Sequence, residues 1–136
     1  MNKSNLMFII EDTNNNKFGC YVSSTINQCS DSSWINDSNS FVFSLNSNNK
    51  IIAFEKYNIQ SNYIHYAFRL YQKSSDTLFG IGYGSAHTIR IYKENSKSSS
   101  YCSQYNDYYD YHGKSNAVRG STGSFTPKRI TVIQMK

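Results

Sequence analysis

A chain of 136 residues with 15% aromatic side chains is long enough to bury a core of its own without metal or disulfide support. Serine and asparagine together supply 38 residues, which alone would read as low complexity, but the tyrosines and phenylalanines argue against a disordered chain. The net charge of +5 conceals a division: residues 1–111 hold nine basic and nine acidic side chains, while the last 25 hold Lys114, Arg119, Lys128, Arg129 and Lys136 with no acid.

One proline, seven glycines and strand-like runs separated by Asn/Ser clusters predict a mainly β domain with long polar loops. The apolar run Leu6 to Ile10 is too short for a signal-peptide core or a membrane span, so the expected setting is intracellular and cytoplasmic. Three cysteines, odd in number and without a CxxC pair, fit a reducing compartment with free thiols.

In chain order, Asn5 to Glu11 and Phe18 to Ser24 read as the two strands of a hairpin around the turn formers DTNNNK. Phe18, Cys20 and Val22 share one face of the second strand, which makes Cys20 a small core residue. Thr25 to Asn36 is a polar loop whose Trp34 is expected to fold back over the core as an anchor. The alternation in DSNSFVFSLN, residues 37–46, predicts a half-buried strand at the middle of an antiparallel meander, with Phe41, Phe43 and Leu45 turned to the core. Lys50 to Glu55 is its hairpin partner.

Tyr63 to Tyr71 also alternates, and its aromatic and β-branched content favours a strand, with His65 on the solvent side. Gly80, Gly82 and Gly84 then recur at period two, which empties one strand face for another strand, an aromatic such as Trp34, or a ligand. A phosphate loop is disfavoured there, because HTIRIYKE continues as a strand and offers no helix N-terminus. Lys93 to Asn116 reads as a long polar loop carrying the aromatic run YCSQYNDYYDYH, and Arg129 to Met135 as the closing strand.

No catalytic or metal constellation stands out, and no cofactor is expected. Cys102, Asp110 and His112 are close in sequence but lack a nucleophile signature, and His65, His87 and His112 lack metal-ligand spacing. Two weaker readings remain: redox thiols at Cys29 and Cys102, and a basic interaction surface of Lys114, Arg119, Lys128 and Arg129 for an anionic polymer. Nucleic acid is disfavoured because no RRM, KH or OB pattern is present.

The succession FIIEDTNNNKFGCYVSS, a spacer with Trp34, DSNSFVFSLN, the glycine-rich strand at 80–84, a polar loop with Cys102 and the closing FTPKRITVI resembles the TLDc domain over nearly the whole chain. Departures are Cys20 in place of the second glycine of an FGGF-type strand, Arg129 and Thr131 at positions often acidic in relatives, and a missing upstream, partly helical segment. The last suggests a single domain truncated at its N-terminus. The resemblance implies a β-sandwich of two antiparallel sheets with a few short helices, in a noncatalytic interaction domain linked to oxidative-stress protection and regulation of the vacuolar proton-pumping ATPase. It supplies no site residue.

Overall fold

The computed structural model describes residues 3–26, 33–47, 50–82, 87–104 and 108–136, with the backbone alone at 52 and 53. Among the described residues ten strands form two antiparallel five-stranded sheets, ordered β10-β1-β2-β3-β4 and β5-β6-β7-β8-β9. The first four strands, β1 (Leu6–Asp12), β2 (Lys17–Val22), β3 (Phe41–Ser47) and β4 (Lys50–Asn58), are the predicted meander. The last strand, β10 (Pro127–Gln134), returns to pair with the first, Leu6 opposite Gln134 through Asp12 opposite Pro127. The second sheet comprises β5 (Arg69–Leu70), β6 (Thr77–Ile81), β7 (Ile89–Tyr92), β8 (Tyr101–Cys102) and β9 (Gly123–Ser124).

Period-two burial decides which side chains meet between the sheets. Leu6, Phe8 and Ile10 of β1 and Phe18, Cys20 and Val22 of β2 enter the core, joined by Phe79, Ile81, Ile89 and Ile91 from the opposite sheet. Phe8 stacks on Phe68 at a centroid distance of 5.0 Å and lies 5.2 Å from Phe79.

On β3 the faces are the reverse of the sequence expectation. Val42 joins the core with fully buried Ser40 and Ser44 beside it, while Phe41 and Phe43 occupy the outer face and Leu45, at the irregularity between Ser44 and Asn46, is half-buried. Pairing fixes this: Val42 stands opposite Cys20 and Tyr57, both core residues, and a one-residue offset in parity moves every side chain to the other face. Phe43 is nonetheless buried, since its ring lies over Gly19 and against Phe41 and Phe54. A Cβ at Gly19 would also fall 1.8 Å from the Phe8 carbonyl oxygen, so this close approach requires glycine.

The expected strand from 63 to 71 is a second correction. Ser61–Tyr66 is a 3-10 helix, and only Arg69–Leu70 pairs as a strand. β4 closes the first sheet and β5 opens the second, so the chain must cross the end of the sandwich there. A helical turn makes that crossing in few residues and sends Ala67 and Phe68 into the core.

The long polar stretch after residue 93 holds more structure than its composition suggests. It contains a 3-10 helix, Glu94–Ser99, then β8, and its tyrosines Tyr108, Tyr109 and Tyr111 belong to the core. Among the described residues no helix is long and apolar enough to cross a membrane.

Candidate functional site

The four cations of the C-terminal end are not gathered into one basic face. Arg119 is buried, its Nε donating to Asp12 Oδ2 at 2.6 Å and its Nη1 to Ser121 Oγ, with the guanidinium 5.0 Å from the Phe125 ring centroid. Asp12 is wholly buried, which by itself raises its pKa, but hydrogen bonds from Asn16 and Arg119 outweigh this and hold the carboxyl below its ordinary value. Lys114 is bound to Glu55 and Lys128 stands 3.8 Å from Glu11. Arg129 is exposed and faces Glu11 across the β1–β10 ladder. Arg119 is thus a buried staple, not part of an interaction surface, and two of the other three are neutralised locally.

Cys102 is buried and free, and desolvation pushes its thiol up to about 12 against the opposing pull of Arg119. A thiol held protonated is a poor nucleophile. Cys20 is likewise buried and pushed well above its ordinary range, and Cys29 lies outside the described residues. Asp110 accepts a hydrogen bond from the His112 backbone, and the His112 ring packs against Tyr57. Among the described residues no hydrogen bond joins His112 to Cys102, and no group of three or more His, Cys, Asp and Glu could hold a metal ion.

Another constellation lies on the outer face of the second sheet. Arg69, Gly80, Arg90 and Tyr101 stand opposite one another in register across β5, β6, β7 and β8 and therefore share a face. Each arginine begins an Arg-x-Tyr pair on its strand, and period two brings the tyrosine to the same face. The guanidinium of Arg69 lies 4.5 Å from the Tyr71 ring centroid, and that of Arg90 lies 4.8 Å from Tyr92 and 5.9 Å from Tyr71. These are cation–π distances, and they hold two flexible side chains over rigid rings.

Gly80 leaves the space that His87 fills: a Cβ there would lie 2.6 Å from His87 Cδ2. The two nitrogens of the His87 ring meet the hydroxyls of Tyr71, at 3.0 Å, and Tyr101, at 3.3 Å, and the ring stacks on Trp34 at 5.6 Å. Of the three occupants the sequence left open for the emptied glycine face, another strand, an aromatic or a ligand, the described residues place an aromatic there: the His87 imidazole is the first layer, with Trp34 above it. Trp34 thus covers the second sheet and is half-buried. Gly82, at φ +70°, ends β6, while Gly84 lies outside the described residues. Burial, then the charges of Arg90 and Arg69, lower the His87 pKa to about 4 and keep the ring neutral.

Among the described residues no carboxylate forms an ion pair with Arg69 or Arg90. Arg90 donates Nε and Nη2 to Thr77 Oγ1 at 3.0 and 2.8 Å. Arg69 Nε is buried and meets no acceptor. Charge arithmetic along the chain overlooked these two because the first 111 residues balance. The signal that marks them is the repeated Arg-x-Tyr, RLY at 69–71 and RIY at 90–92, placed on either side of the glycine strand.

In one comparison, the family model of the TLDc domain matches residues 1–135. The chain belongs to the TLDc family. No curated protein matches it. As a TLDc domain it is of the oxidation-resistance type, and on the outer face of its second sheet Arg69 and Arg90 form no ion pair with a carboxylate among the described residues.

Proposed function

We propose that this TLDc domain acts without catalysis, as a protein-interaction module that regulates the vacuolar proton-pumping ATPase by contacting one of its subunits. The observation that carries the reading is the TLDc match over residues 1–135. The fate of the reactive side chains supports it: Cys20 and Cys102 are packed as core residues, and the Asp12–Arg119 pair is spent on joining the β1–β2 turn to the 117–121 segment. Rigid sheets with a charged outer face fit recognition better than bond-making.

The test is capture of pump subunits by the immobilised chain from a lysate containing intact vacuolar ATPase, with proton pumping measured alongside. Recovery of a defined subunit, with pumping altered in proportion to added domain, is the expected result. Recovery of none, under conditions where the pump itself stays assembled, overturns the assignment of partner.

A further inference from the structure

We propose that the outer face of the second sheet, at Arg69 and Arg90, docks an acidic segment of a protein partner, each guanidinium taking a carboxylate side chain. The proposal deepens the interaction-module reading and rests on it for the existence of a protein partner. The two cations lie two strands apart, on either side of Gly80 and on the same face, and are braced by Tyr71 and Tyr92. Bracing matters because arginine otherwise loses much rotamer freedom on binding, and a pre-stacked planar fork loses less.

The donors have capacity to spare. Arg90 uses two of its five N–H groups on Thr77, and among the described residues no carboxylate pairs with Arg69, whose Nε is buried. The buried Nε anchors the Arg69 guanidinium against the sheet, so an arriving carboxylate would meet its Nη groups, and the remaining N–H groups of Arg90, with charge-assisted hydrogen bonds. By contrast, Lys114, Arg119 and Lys128 already face Glu55, Asp12 and Glu11.

The same geometry disfavours nucleic acid. Binding a single strand needs exposed ring faces for base stacking and a track of several cations. Here the rings of Tyr71 and Tyr92 are occupied by the guanidiniums, and His87 is sandwiched by Trp34 and the sheet. Two closely placed forks match a few carboxylates on a short acidic stretch.

The experiment is fluorescence anisotropy of the full chain with a labelled hexaglutamate peptide, in parallel with a hexathymidylate strand. Hexaglutamate should bind, more weakly as salt rises. Arg69→Gln and Arg90→Gln should each weaken it by about ten-fold or more, Arg69→Lys should restore only part, and Lys128→Gln should leave it unchanged. In the complex, the His87 titration midpoint read by NMR should move upward, because bound carboxylates offset the two guanidiniums beside it; a merely structural arginine would not produce that shift.

Wild-type affinity in the Arg69→Gln/Arg90→Gln double variant overturns the proposal. So does tighter binding of hexathymidylate than of hexaglutamate, or a lowered melting temperature with affinity unchanged. The two readings separate cleanly. A double variant that still captures a pump subunit as well as wild type removes this surface and leaves the interaction module standing. Hexaglutamate binding through the two arginines, with no pump subunit captured, keeps the surface and removes the pump.

Discussion

Arg119 illustrates how little a residue's charge says about its task until its neighbours are known. By sequence it belongs to a basic tail, yet its guanidinium closes a buried network in which Asp12 also accepts from the Asn14 and Asn16 backbone N–H groups and the Asn16 side chain. Replacing one member strands the other. Arg119→Met should therefore lower stability by about 3–5 kcal/mol in urea denaturation, because it leaves the Asp12 carboxylate buried and uncompensated. Lys128→Gln, which removes an exposed partner, should change it by less than about 1 kcal/mol. His87 makes a second prediction. Its folded pKa of about 4 lies below the ordinary value of 6.5, so between these values the unfolded chain binds the proton preferentially. Stability should be unaffected by this group above pH 6.5, fall as pH drops toward 4, and level off below. The loss is on the order of 3 kcal/mol at most. Urea midpoints measured from pH 7 to 4 check this, and His87→Gln should flatten that part of the profile.

The strands show which parts of the fold can be read from local pattern. The β1–β2 hairpin, β3, β4 and β10 were legible because turn formers bound short apolar runs, and antiparallel neighbours follow one another in sequence. The inside and outside of β3 were not. Its two inward neighbours of Val42 are serines, and hydrophobicity alone places Phe41, Phe43 and Leu45 in the core ahead of Ser40 and Ser44. Only the cross-strand partners decide, and those are remote in sequence. Val42→Ala should accordingly cost about 1–2.5 kcal/mol and Leu45→Ala less than about 1 kcal/mol. Chemical denaturation that ranks them the other way would return the phenylalanine face to the core. The 3-10 helix at Ser61–Tyr66 escaped for a related reason. Ile64, Ala67 and Phe68 also satisfy the i, i+3, i+4 spacing of a helix, and what selects it is the crossing between sheets, which no local window contains. The Arg69–Arg90 face was half legible: the emptied glycine face was visible, but the cations that β5 and β7 bring to it come together only through pairing.

At the scale of the whole molecule, the sandwich is closed by its last strand. β10 pairs along the full length of β1, and three further contacts tie the ends: Thr13 N–H to the Thr126 carbonyl, Met135 N–H to the Asn5 carbonyl, and the Gln134 side-chain amide to the Ser4 carbonyl. Yet Val132, Ile133 and Met135 keep 45%, 41% and 41% of their surface exposed, so backbone pairing contributes more than side-chain burial to holding this strand. Two consequences of different size follow. Val132→Ser or Ile133→Ser should each lower stability by about 1–1.5 kcal/mol, since only about half of each side chain's apolar area is out of water. Deleting residues 127–136 removes a whole ladder, at about 1 kcal/mol for each net hydrogen bond, and turns β1 into an edge. That loss is comparable to the entire net stability of a domain this size, about 5–15 kcal/mol. The shortened chain should show no cooperative thermal transition by circular dichroism, while both serine variants keep one at a slightly lower temperature than wild type. A sharp transition in the shortened chain would show that sheet one is held by its four-stranded meander, with β10 a late addition to a fold already complete.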